Sequence, residues 1–214
     1  HRYSSAASDV YKRQIMLASS SPRRVSLLEQ MGLNFDVMSP DVDESLLPDE
    51  VPHAYVERLS RAKAAAGLAQ GSNQVVIAAD TIVTLDGLIL GKPAEADDGK
   101  TMLLALSGRS HRVLTGLTVA NQKEAKSQVV VSDVWFRAIS EQEATAYWQT
   151  GEPRDKAGGY GLQGIGSIFV QKVEGSPSAV IGLPVEETEA LLRYFGVDTW
   201  SCLLYTSPSP RDIS

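Results

Sequence analysis

The stretch ASSSPRRVSLLEQMG, from Ala18 to Gly32, puts two guanidiniums where a helix should begin. Ser21 suits an N-cap and Pro22 the first helical position. Leu27, Leu28 and Met31 supply an apolar stripe, and Gly32 can end the helix in a left-handed turn. Arg23 and Arg24 then fall in the first turn, at the positive end of the helix dipole, where each cation costs about 0.3–1 kcal/mol. A bound anion would remove that penalty. A strand running into SSSPRR offers free N–H groups, hydroxyls from Ser19 onward and two guanidiniums, a set suited to phosphate oxygens. A surface helix whose arginines pair with nearby carboxylates accounts for the same residues.

Four further groups carry possible chemistry. Asp80, in AADT, follows a run of apolar residues, where a carboxylate is costly unless it is paired or solvated, and Thr81 beside it can donate a hydrogen bond. Asp43 and Glu44, in PDVDES, place acids on a loop. Hard ions such as magnesium and manganese take such oxygens together with substrate phosphates, although acidic loops are commonly just solvated. Lys63, in RAKA, is surrounded by alanines that leave room for a ligand, and Lys92 is fixed between Gly91 and Pro93. Two lysines in a phosphate site would stabilise charge that accumulates in phosphoryl transfer, and either could equally be an ordinary surface lysine. In DKAGGYGLQG, Asp155 to Gly164, the glycines permit close backbone approach. Gln163 can both donate and accept, as reading a base edge requires, with a mobile surface loop as the competing view.

Strand and helix signals alternate around these groups. IMLAS reads as a short buried strand, followed by the helix from Pro22 and a strand in LNFDVMSP. Pro52 to Gln70 carries Tyr55, Leu59, Ala62 and Ala66 at helical spacing. VVIAAD reads as a central strand that delivers Asp80 at its C-terminal edge, and LDGLILGKP as a hairpin with a DG turn. Ala94 to Leu106 is expected to be helical. HRVLTGLTVAN and QVVVSDVWFRAI should form a long antiparallel pair, and Ser140 with Glu143 reads as a capping box. Leu183 to Phe195 is the last helix. The expected fold is mixed α/β, an extended mixed sheet flanked by helices.

The two ends do not read like the rest. Asp9 to Gln14, DVYKRQ, and Cys202 to Ser207, CLLYTS, can be encoded by one short DNA element and its reverse complement, as in translated sequencing-library adaptor. Residues 1–14 and 202–214 are therefore taken as non-native tails around one domain at 15–201. Setting them aside removes the single cysteine, and with it any disulfide, thiol nucleophile or thiolate metal site. The net charge moves from −6 to −8 once four basic and two acidic residues are left out. So acidic a chain is not expected to bind nucleic acid non-specifically. With no apolar run near the roughly 20 residues of a membrane helix and no secretory leader, a soluble cytoplasmic protein without membrane partners is expected.

Taken together, SSSPRR, VDES, ERLSRAKA, AADTIV, LGKP, LSGRSHRVLTG, DKAGGYGLQG and VIGLP occur in the order found in the Maf family of nucleoside triphosphate pyrophosphatases. The resemblance covers Ile15 to Phe195. The SPRR, AADT and GLQG versions resemble the dTTP/UTP branch, and the tryptophan that a 7-methyl-GTP branch carries in its first motif is missing here. The resemblance implies a fold like that of inosine triphosphate pyrophosphatases, with a cleft between two lobes, and metal-dependent hydrolysis between the α and β phosphates. It implies Asp80, Lys63 and Lys92 for catalysis, with Asp80 as proton acceptor. Ser19, Arg23, Arg24, Thr81 and Gln163 would bind substrate, and Glu44 with Asp80 would hold a magnesium or manganese ion. It also implies a homodimer. Two other readings stay open: a non-catalytic nucleotide-binding regulator of septum formation, and a pyrophosphatase for non-canonical purine triphosphates.

Overall fold

The computed structural model describes residues 15–71 and 74–200. Both adaptor-like ends lie outside the described residues. The elements, in chain order, are β1 (Ile15–Ala18), α1 (Pro22–Gln30), β2 (Asp36–Met38), α2 (Pro52–Leu68), β3 (Val75–Leu85) and β4 (Leu88–Leu90). They continue with α3 (Ala96–Leu106), β5 (Ser110–Ala120), β6 (Ala125–Phe136), α4 (Glu141–Gln149), β7 (Val170–Glu174), α5 (Pro177–Ile181) and α6 (Val185–Tyr194). Three short 3-10 turns, Glu152–Asp155, Ala157–Gly159 and Ile165–Phe169, fill the segment between α4 and β7.

One seven-stranded sheet runs in the order β2-β1-β3-β5-β6-β7, with β4 paired to β3. The first three strands are parallel and the rest antiparallel, so the sheet is mixed, as expected. β3 is the strand that organises the site. β5 lies along one of its edges from Val76 to Thr84. The other edge is shared: β1 pairs only with Val75 to Ile77, and β4 only with Val83 to Leu85. Residues 78–82 therefore face an edge that β1 has left to enter α1 and that β4 has not yet reached. Asp80 was expected at the end of its strand. It sits instead in the middle of an 11-residue strand, and its access comes from the departure of the neighbouring strand.

Alternation along β3 divides the core between two faces. Met16, Ala18, Ala64, Val76, Ala78 and Ala120 pack together on the face covered by α2, beside a cluster of Val56, Ile82 and Leu114. On the opposite face stand two larger cores. One joins β1, α1 and α6 through Leu17, Leu28, Ile77, Leu117 and Leu192; the other joins α3, α4 and β6 through Val83, Leu103, Leu106, Phe136 and Tyr147. Between those two cores the paired residues on this face are Thr81 and Thr115, which are polar. This is the two-lobed arrangement, carried on one continuous sheet.

The face that α2 buries differs from the expected stripe. Val56, Leu59, Ser60, Lys63, Ala64 and Gly67 are buried, whereas Tyr55, Ala62 and Ala66 are half-buried on the flank. Ser60, Ala64 and Gly67 suit a helix that lies very close to the sheet: a Cβ on Gly116 of β5 would stand 2.2 Å from the Val56 carbonyl oxygen. The DG turn forms as expected, with Asp86 and Gly87 both at positive φ between β3 and β4. The Ser140 and Glu143 capping box is also present. α5 has no counterpart in the sequence reading; Pro177 starts it and the Ser176 hydroxyl caps it by accepting from the Ala179 N–H.

Candidate active site

The unpaired stretch of the β3 edge between β1 and β4 opens into a cavity of about 540 Å³. It is lined by Ser19, Arg23, Arg24, Glu44, Lys63, Asp80, Thr81, Lys92 and Gln163, so the site residues singled out in the sequence come to one place, Asp43 excepted. Adjacent residues on β3 point to opposite faces, so Asp80 and Thr81 serve different halves of it.

Thr81 and the start of α1 build the first half. Ser21 occupies the N-cap position of α1 but makes no side-chain cap bond; its N–H donates to the Ser19 hydroxyl at 3.1 Å. The Arg24 guanidinium donates from Nε to the Gly182 carbonyl at 2.7 Å, from Nη1 to Ser19 Oγ at 3.1 Å and from Nη2 to Thr81 Oγ1 at 3.2 Å. All three acceptors are uncharged. The fork is thus held in place by the end of β1, the middle of β3 and the end of α5 without having its charge neutralised. Burial pulls the guanidinium below the ordinary arginine range, and attraction from Asp80 opposes it. Behind it Thr81 Oγ1 lies 2.9 Å from Thr115 Oγ1, which donates to the Ala179 carbonyl at 2.8 Å.

Asp80 and α2 build the second half. Lys63 Nζ lies 2.6 Å from Asp80 Oδ1 and 2.6 Å from Glu44 Oε1, so one ammonium stands between two carboxylates. Lys63 and Asp80 are both only 7% exposed, a burial that unpaired ions would not tolerate. Burial acts to raise the Glu44 carboxyl, but the Lys63 hydrogen bond and charge, with Lys92 and Arg24, hold it below its ordinary value. The loop carrying Glu44 is tied to α2 by the Tyr55 hydroxyl, which donates to the Glu44 carbonyl at 2.7 Å. Arg58 ties it again, forking onto Glu50 at 2.6 and 2.7 Å. Asp43 does not line the cavity; its carboxylate accepts from the Ser45 N–H and shapes the turn.

The mouth is charged. Arg23 pairs with Asp155 at 2.9 Å, and Lys156 reaches the same carboxylate at 2.7 Å. Burial would raise Asp155, but these two cations pull it down to about 2. Arginine paired with a carboxylate, the bland alternative for the SPRR helix, therefore holds for Arg23 and fails for Arg24. Asp155, Lys156, Tyr55 and Gly182 line the cavity without having been given a role in the sequence. The first two and Gly182 stand in the quoted motifs DKAGGYGLQG and VIGLP, while Tyr55 was read only as part of an apolar stripe.

Glu44 and Asp80 are the carboxylates that could take a divalent cation. Among the described residues no group of three or more His, Cys, Asp or Glu side chains gathers as a metal cage.

A family model described as Maf-like protein matches residues 14–195. The chain belongs to this family. Among curated proteins similar to this chain, a dTTP/UTP pyrophosphatase of Vibrio cholerae is 52% identical over 183 residues, covering 85% of this chain and 98% of that protein. One of Aliivibrio fischeri is 50% identical over 187 residues, with the same coverage of each. One of Vibrio parahaemolyticus is 48% identical over 182 residues, covering 85% of this chain and 96% of that protein. The Ham1 protein of Staphylococcus aureus superposes with a TM-score of 0.42 at 18% identity over 61% of this chain and 73% of that one, too distant to bear on the argument.

Proposed function

We propose that this Maf protein hydrolyses dTTP and UTP to the nucleoside monophosphate and pyrophosphate. The observation that carries the reading is the Arg24 fork, anchored by three uncharged acceptors and facing the same cavity as the Lys63 carboxylate pair. A cation held in position with its charge unspent is the arrangement a polyphosphate requires. The curated relatives named above carry the same activity in their names.

In this reading water adds to the α phosphorus, the bond from that phosphorus to the bridging oxygen breaks, and pyrophosphate departs with the electron pair. Asp80 orients the water and accepts its proton. Arg23, Arg24, Lys63 and Lys92 offset the negative charge that builds on the phosphates, with Ser19 helping to bind them. Thr81, Arg23 and Gln163 select the nucleoside. Two carboxylates that converge on one ammonium, without a third acid, fit a magnesium or manganese ion shared with substrate phosphates better than a resident metal. Such an ion would be held by Glu44 and Asp80 and would polarise the phosphoryl oxygens. We also take residues 15–201 as the functional domain, a homodimer in the cytoplasm.

A binding-only regulator has no use for the buried Asp80 and the exposed Glu44 beside a triphosphate, which two carboxylates repel unless a metal ion stands between them. Pyrophosphate release from dTTP, UTP, ITP and 7-methyl-GTP, with and without EDTA, tests the proposal. Release from dTTP and UTP that EDTA abolishes is expected. Release confined to ITP or 7-methyl-GTP, or none at all, would overturn it.

A further inference from the structure

The backbone that carries Gln163 is held from behind by one carboxylate. Glu152 accepts at Oε1 from the Tyr147 hydroxyl at 2.7 Å and the Gly166 N–H at 3.0 Å, and at Oε2 from the Ile165 N–H at 2.8 Å. The Tyr147 hydroxyl accepts in turn from the Gly161 N–H at 3.2 Å. A Cβ on Gly164 would stand 2.3 Å from Glu152 Oε2, so the carboxylate packs flat against the residue that follows Gln163. The Glu152 carbonyl accepts from Lys156 Nζ at 2.7 Å, and Lys156 pairs with Asp155, the partner of Arg23. Glu152 itself does not line the cavity. It stands where two paths to the cavity meet, one through 161–166 to Gln163 and one through Lys156 and Asp155 to Arg23.

We propose that Glu152 is a positioning residue for nucleobase choice, fixing the segment from which Gln163 reaches the base. The proposal rests on the pyrimidine triphosphatase reading above. Three donors converge on one ionised carboxylate, and such charge-assisted bonds are about twice as strong as neutral ones. They order the segment before substrate arrives, so binding does not bear that ordering cost. A carboxamide at the same place can accept on its oxygen, but its NH₂ group would face either the Ile165 N–H or the donors at Oε1. The glycine-rich stretch is thereby a pinned segment rather than a mobile loop, and its glycines leave room for the pin.

The test compares wild type, Glu152→Gln and Tyr147→Phe in amide hydrogen exchange and in kinetics with dTTP, UTP and ITP. In Glu152→Gln the Ile165 and Gly166 amides are expected to exchange about tenfold faster or more, the loss of one charged hydrogen bond. The preference for dTTP and UTP over ITP in kcat/KM should fall by a similar factor of about ten, through KM more than kcat. A merely structural role would lower all three substrates alike. Unchanged exchange, or a fall in kcat with the preference intact, overturns the proposal. Should Glu152→Gln fail to fold, Tyr147→Phe carries the test: it leaves two backbone donors on the carboxylate, takes away the acceptor of the Gly161 N–H, and should reduce the preference by about two- to fivefold, the lower end of that one neutral bond to the segment. An unchanged preference there overturns the proposal too. A wild type inactive on dTTP and UTP would end the functional reading instead. The exchange rates and the relative affinities for the same three nucleotides would then decide the role of Glu152.

Discussion

Arg24 and Asp80 show how the same ionic pieces are arranged for different ends. Asp80 is buried with its charge answered by Lys63, whereas Arg24 is anchored by three uncharged oxygens. The fork geometry is what a lysine cannot reproduce. Arg24→Lys keeps the charge but loses the three-point anchor, so KM for dTTP should rise about tenfold, one charged hydrogen bond's worth, in steady-state kinetics. Asp80→Asn should lower kcat by about 10²-fold or more, as loss of a general base does, with the fold preserved by circular dichroism. Near-normal turnover in that variant would remove Asp80 from the proton-accepting role.

Among the elements, α2 carries the consequence of its own close approach. Lys63 reaches Asp80 only because the helix lies against the sheet at Gly116, where an added Cβ would meet the Val56 carbonyl at 2.2 Å. Backbone cannot yield there as a flexible side chain can. Gly116→Ala should therefore destabilise the protein by about 1–3 kcal/mol, the usual cost of overpacking, in a denaturant titration. It should also lower activity at temperatures where the variant is still folded, because Lys63 is displaced. The element level is also where the sequence reading was least accurate. Periodicity in Pro52 to Gln70 identified a helix with Tyr55, Leu59, Ala62 and Ala66 as its stripe, yet of these only Leu59 is buried, on the inner face that carries Lys63 and Gly67. Apolar count misled because a buried lysine paired with two carboxylates scores as polar.

For the molecule as a whole, two cores on one face of a single sheet leave a polar seam at Thr81 and Thr115, and the cavity opens beside it. The second core contains an ionisable group. His111 is buried against Phe136 and Tyr160, with Nε2 2.7 Å from the Tyr160 hydroxyl and Nδ1 buried without a partner in the described structure. Burial lowers its pKa from 6.5 to about 4, with only Asp133 opposing. The folded state thus prefers the neutral ring, and stability is full above pH 6.5 and declines as the pH falls from 6.5 towards 4. The slope approaches about 1.4 kcal/mol per pH unit for one such group. Denaturant melts across that range should show it, and His111→Gln should flatten it.

Candidate chemistry was legible before any coordinates. Residue type marked Ser19, Arg24, Glu44, Lys63, Asp80, Thr81 and Lys92 as groups suited to a polyphosphate and Gln163 as one suited to a base edge, and the resemblance of their motifs to the Maf family joined them as one site, because charge, hydroxyls and glycine spacing are properties of the chain itself. The alternation and the DG turn placed most strands for the same reason: they are local. Which carboxylate answers which cation was not legible. Asp155 lies 132 residues from Arg23, and Gly182 lies 158 from Arg24, so those pairings exist only once the sheet has brought distant segments edge to edge. The opening above Asp80 is likewise invisible in VVIAADTIVTL, since it comes from where β1 stops and β4 begins beside that strand.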